Sequence, residues 1–294
     1  MTLKKSHLIC ALAITTLISC TNQTEEKNTT DELTDSLNVP TDSLAAIEEE
    51  SDVSYNLPSA LQIAYVAKKS GATYNVDFLN KTENAPKYNT SNYKRAVNFG
   101  IYSSDLANCV FNKKYQESKQ YLKALKEMGS YLGLNQAFES DNLAERFDKN
   151  LTNEDTLVKI VSNVQLKTDE LFEHNKQKHI TVIAFAGAWV ESLNLANESY
   201  LKQKNKKVLM GMFEQILFAP TLISALEANK TKEPEIDGLL KSIKSINEKF
   251  NAIPAVKSTL DKEEELDFST MNFTDSEVES ITKLVKDLRT EMVN

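Results

Sequence analysis

An all-α, multi-helix bundle of about eight to ten helices is the fold this sequence predicts, on three observations. Glycine and proline are scarce, seven and six in 294 residues. Apolar residues recur at spacings of three and four, and the alternation that marks half-buried strands is almost absent. Two stretches, Ile180 to Val190 and Val208 to Leu226, are apolar nearly all round and read as central helices.

The first twenty residues stand apart. Lys4 and Lys5 precede an apolar core, Leu8 to Ile18, of secretion-signal length and too short to span a bilayer. Leu17, Ile18, Ser19 and Cys20 then resemble the lipobox of bacterial lipoproteins. That resemblance implies a signal peptide over 1–19, acylation of Cys20 with diacylglycerol and palmitate-like chains, and the membrane as a partner. Several chains on one residue hold firmly, since each buried methylene contributes about 0.8 kcal/mol. Cys10 would leave with the signal, so Cys109 is left alone and an internal disulfide is excluded. In the apolar stretch LANCVF it is expected to be a buried, inert thiol.

Residues 20–54 read as a lipidated cysteine followed by an acidic tether. Between 21 and 54 there are ten acidic side chains and one basic, Lys27, and no aromatic residue. Such a segment cannot bury enough surface to offset chain ordering, so a disordered, self-repelling spacer is expected. From residue 55 the charges nearly balance, with 31 basic and 32 acidic side chains, which removes the electrostatic case for nucleic acid. TNQTEE after Cys20 resembles the export signals of surface lipoproteins in the Bacteroidota. Asp35-Ser36-Leu37 and Asp42-Ser43-Leu44 resemble that phylum's O-glycosylation acceptor, with an ordinary solvated linker as the other reading.

In the body, 55–294, helices are expected at 58–70, 91–112 and 114–133. Thr152 with Asp155 suggests a capping box opening a helix whose inner face is Leu157, Ile160, Val161, Val164, Leu171 and Phe172. Next come 178–201, with Ala184, Ala186, Gly187 and Ala188 inviting close approach of a neighbour, and 204–228, kinked at Pro220. Glu214 and Gln215 inside the latter argue against a transmembrane span. A helix opening near Pro234 carries Ile236, Leu239, Leu240, Ile243, Ile246 and Phe250. The last opens on Thr274 and Glu277, a second capping box. The irregular segments 71–90 and 255–273 read as exposed loops or covers. Phe99 with Asp105, and Phe185 with Glu191, begin similar helix–turn–helix patterns 86 residues apart, a spacing compatible with two related helical hairpins, a chance alignment of two amphipathic hairpins being the other reading.

Chemistry is sparsely marked. His174 and His179 lie about 140° apart on a continuous helix, not the i, i+4 pair of a zinc helix, and no HExxH, GxSxG, P-loop or dinucleotide fingerprint occurs. No metal, cofactor or catalytic residue is therefore assigned, and an enzyme is disfavoured. Lys202, Lys204, Lys206 and Lys207 read as a solvated turn, an anionic partner being the sharper alternative. Asp105, Glu191 and Glu214 sit in apolar surroundings where an ionised carboxylate must be paired or shift its pKa upward. With Tyr102, Trp189, Arg95 or a lysine as neighbours, they form the candidate buried polar or ligand site.

NLPSALQIAYVAKKSGATYN, NFGIYSSDLANC and HITVIAFAGAWVESL resemble a group of exported, all-helical lipoproteins of the Bacteroidota across nearly the whole body. Imelysin-like helical proteins are less similar: their GxHxxE-type signature is missing, since Ile180, Thr181 and Val182 follow His179. The first resemblance implies fold and an outer-membrane location, at the cell surface or facing the periplasm, and it carries no activity. A noncatalytic domain binding an envelope protein or small ligand is the expectation. An envelope enzyme with a carboxylate site in an interhelical cleft is the alternative.

Overall fold

The computed structural model describes residues 57–139, 142–229 and 233–294. Residues 1–56, on which the expected signal peptide, lipidated Cys20, acidic tether and two glycosylation-like motifs fall, lie outside the described residues. Among those described there are twelve α-helices and no strand. In order they are α1 Ala60–Lys69, α2 Asn92–Phe111, α3 Tyr115–Ser130, α4 Asn135–Glu139, α5 Leu143–Lys149, α6 Glu154–His174, α7 Lys178–Gln203, α8 Lys206–Ile216, α9 Ala219–Ala228, α10 Pro234–Asn251, α11 Pro254–Leu260 and α12 Asp275–Val293. The number exceeds the eight to ten expected because α4, α5 and α11 are short, and because 204–228 breaks in two before Pro220. Proline lacks the amide that a continuous helix would need there, and it is accommodated in the first turn of α9.

Helix α2 packs along α7 at the centre, with α1, α3 and α6 on α2 and with α8 and α12 on α7. The central pair is parallel. Val97 faces Gly187, Gly100 faces Ala184 and Ala188, and Asp105 meets Glu191, so both chains advance in the same direction. Glycine is required at two of these crossings. A Cβ on Gly100 would overlap the carbonyl oxygen of Ala184, and one on Gly187 would overlap that of Val97. The small residues on α7 thus admit α2, and Gly100 is their counterpart on the other side. Asp105 and Glu191, the matching positions of the two patterns 86 residues apart, meet across this crossing.

Local chemistry sets the helix ends. Ser59 and Gln62 form a capping box on α1, and Thr274 and Glu277 one on α12. The expected box at Thr152 is not formed: Asn153 is the cap of α6, its side chain accepting from the Thr156 amide at 3.0 Å. Asn is at least as good a cap as Thr, so the helix starts one residue later. The turns after α2, α6 and α7 each place a lysine at positive φ, Lys113, Lys176 and Lys204, where glycine is usual.

The two irregular segments are covers. Residues 76–78 and 82–88 form short 3-10 turns that bury Leu79, Asn80, Ala85 and Tyr88. Around α11, Phe268 and Met271 are buried, and Phe213, Phe250, Phe268 and Phe273 stack edge to face. Two segments, Lys178–Gln203 and Lys206–Ala228, are long and apolar enough to cross a membrane by length and composition. The first is 89% buried among its neighbours over its most apolar window, as a core helix is, and the second is divided at the α8–α9 break.

Candidate functional site

Asp105 and Glu191 come together in the interior, both fully buried. Asp105 Oδ2 accepts the backbone amide of Asn80 at 3.1 Å. Asp105 Oδ1 has no protein N–H or hydroxyl donor, and the side chain lies in hydrogen-bonding contact with Glu191. These facts fit a neutral Asp105 whose own proton is donated to Glu191. Burial pushes the Asp105 carboxyl well above its usual range, and the Glu191 charge adds to this; Arg289 and the Asn80 amide oppose it without prevailing. Glu191 is raised by burial too, but Arg289 and its hydrogen bonds counter the rise, so of the two it is the carboxyl that carries the negative charge.

Arg289 on α12 supplies the countercharge, with Nε donating to Glu191 Oε2 at 2.9 Å. Burial works against its charge, but Glu191 outweighs that and raises its pKa. The chain has three arginines, and the one that reaches the buried acid is Arg289, half-buried at the edge of the core. Arg95 bonds Asn89 and Asn92 instead.

The cover segment is tied to the same cluster. Tyr121 donates to the Asn80 carbonyl at 2.9 Å, Tyr102 to the Lys81 carbonyl at 2.6 Å, and Asn80 Nδ2 to the Tyr88 hydroxyl at 3.0 Å. Burial raises all three phenols, so each stays a neutral donor. With both acids at zero exposure, the arrangement ties α2, α7, α12 and the cover segment together.

The other expected site residues fall elsewhere. Trp189 is fully buried, but its indole donates to the Gln215 carbonyl at 2.7 Å, joining α7 to α8. Glu214 corrects the expectation of a buried acid: it is exposed. Once 204–228 divides, α8 is amphipathic, with Lys207, Glu214 and Leu217 on its outer face and Gln215 turned inward, its Nε2 bonding the Gly211 carbonyl. Cys109 is buried, its thiol pushed up by burial. His174 is exposed at the end of α6, and no metal-holding group occurs among the described residues. The lysines of the α7–α8 turn are exposed, Lys202 lying over the Phe78 ring at 4.5 Å.

A second feature escaped the sequence. Between α2, α3, α6 and α7, and lined also by Leu57 and Pro58, is a cavity of about 110 Å³. Its walls are mostly apolar, with Phe99, Leu122, Phe138 and Phe172 among them. Thr168 and Asp169 interrupt the apolar lining. Thr168 is 4% exposed and its hydroxyl has no partner. Asp169 is open to solvent along one side yet crowded by the apolar wall, and this desolvation pushes its carboxyl up to about 6. On a helical wheel Asp169 belongs to the edge of the polar face of α6, where an acid draws no notice, whereas Thr168 falls within the apolar stripe between Val164 and Phe172, a polar residue there being the one signal the sequence offered. No family model matches the chain, and comparison with curated proteins and with solved structures gives no match either.

Proposed function

We propose that this chain is a lipoprotein of the bacterial envelope, anchored at the outer membrane through Cys20, whose helical domain binds a small, mainly apolar ligand without converting it. The observation that supports binding is the cavity between α2, α6 and α7, apolar over most of its wall and carrying an unpartnered hydroxyl. Anchoring rests on Leu17, Ile18, Ser19 and Cys20 in the sequence. An enzyme working through Asp105, Glu191 or Glu214 is less well supported, since the first two lack solvent access and the third is exposed on α8, away from them.

Titration of the full-length chain with benzene tests binding, because an apolar cavity of this order holds one ring. A ligand bound only by the folded state raises the unfolding temperature in proportion to the logarithm of its concentration. No shift up to the solubility of benzene would overturn the binding reading. Cys20→Ala tests the anchor: the protein should move from the membrane fraction to the soluble fraction, and its retention would overturn lipidation at that residue.

A further inference from the structure

We propose that the ligand of the α2–α6–α7 cavity is a small primary amine bearing one aromatic ring or a short alkyl chain, its ammonium group held by Asp169 and Thr168. This rests on the ligand-binding reading and adds the chemistry of the polar end. Three observations converge on it. The volume, about 110 Å³, suits a single ring and excludes a long acyl chain or a sterol. The side chains of Ser103, Gln165, Thr168, Asp169 and Thr181 are the polar ones in the wall, and Asp169 alone among the lining residues is ionisable.

Asp169 is also a carboxylate without a countercharge. Its pKa is displaced by burial alone, with no cation or donor lowering it. Water reaches Asp169 on one side and the apolar wall borders it on the other, so an ammonium seated in the chamber would meet an unpaired carboxylate at its rim. Thr168 adds the second element. A buried threonine in a helix usually bonds a carbonyl one turn earlier, but its Oγ1 has no partner and is buried at the cavity wall. A primary ammonium has three donors, enough for the carboxylate and the hydroxyl with one left for water or for the Gln165 side chain one turn before Asp169. An anionic ligand would instead set its charge beside Asp169.

The test compares three probes that share a phenyl group: 2-phenylethylamine, 2-phenylethanol and 3-phenylpropionate. Each is titrated calorimetrically into the full-length chain in lipid vesicles at neutral pH, with empty vesicles as reference. The amine should bind at least ten-fold more tightly than the alcohol, and the carboxylate most weakly. Asp169→Asn should bring the amine to within about two-fold of the alcohol; its solvent-facing position lets the variant fold, which a melting curve verifies. Gln165→Trp, placing an indole at the same rim, should remove amine and alcohol binding together. Equal affinity for all three probes, or an amine preference that survives Asp169→Asn, would overturn the ammonium assignment while leaving the binding reading intact. Absence of binding by every probe would overturn both.

Discussion

Asp105 and Glu191, one from each central helix, meet carboxyl to carboxyl, and only Glu191 is answered by a cation, Arg289 at 2.9 Å. The pair therefore carries one proton and one negative charge, and its members respond differently to substitution. Asp105→Asn preserves the geometry, since an amide can donate to Glu191 and still accept the Asn80 amide; a change in stability within about 1 kcal/mol is expected near neutral pH. Arg289→Met leaves Glu191 charged and unpaired in the interior, which should cost about 3–5 kcal/mol. Adding Glu191→Leu to Arg289→Met should recover part of that loss. Urea midpoints for the single and double variants decide it, and a double variant less stable than Arg289→Met would contradict the pairing.

The same proton sets a pH dependence. Asp105 has a raised pKa in the folded state, so the fold takes up a proton that the unfolded chain releases above the ordinary carboxylate range. Its contribution is fully present below the unfolded value of 3.8 and is lost as pH rises toward and through the raised folded value. Asp169, raised to about 6, acts in the same direction between about 4 and 6, with a smaller effect because solvent screens one side. Asp105→Asn should therefore be increasingly stable relative to the parent as pH rises above the ordinary carboxylate range. Unfolding curves at matched ionic strength test this; parallel profiles for the two proteins would mean that Asp105 is not the proton's site.

The all-helical fold was legible in the sequence, and so was half of the buried cluster, for one reason: a charged residue inside an apolar run stands out. Helix 91–112 was expected and α2 spans Asn92–Phe111; 178–201 was expected and α7 spans Lys178–Gln203. Asp105 and Glu191 stood out within these helices. Glu214 stood out equally but sits on an outer face, because the run around it is two helices and the break before Pro220 lets α8 turn one stripe to solvent. Arg289 gave no such signal. It occupies the margin of the α12 stripe of Val285, Leu288 and Met292, where a basic residue usually reaches water. Asp169 and the cavity were invisible because a gap between four helices is a property of tertiary packing.

The α2–α7 crossing makes glycine indispensable at two positions. Gly100→Ala and Gly187→Ala each drive a methyl group into backbone of the partner helix, which cannot move aside as a flexible side chain would. Each should cost about 3 kcal/mol or more. Gly133→Ala is the contrasting case, with positive φ and open space around the new methyl, and only the left-handed backbone cost of about 1–2 kcal/mol is expected. Thermal unfolding of the three variants should separate them clearly. Equal losses would mean that the crossing relaxes.

The cover segment 76–90 should open as a unit distinct from the helices beneath it. It lacks a continuous helix, and much of its attachment runs through Tyr102 and Tyr121, whose hydroxyls hold the Lys81 and Asn80 carbonyls. Removing one such bond costs about 1 kcal/mol, more at Asn80, whose carbonyl is buried and loses its donor. The double variant Tyr102→Phe/Tyr121→Phe keeps the apolar rings in place and deletes only these bonds. Amide exchange across 76–90 should then quicken markedly while the middle of α2 and α7 exchanges at the parent rate relative to global stability. Since Asn80 is also the amide donor to Asp105, the opened state brings water to that carboxyl, and the pH dependence ascribed to Asp105 should weaken in the same variant. Exchange that quickens uniformly through α2, α7 and the cover would mean that the segment is part of the global unfolding unit and that the tyrosines stabilise the whole domain.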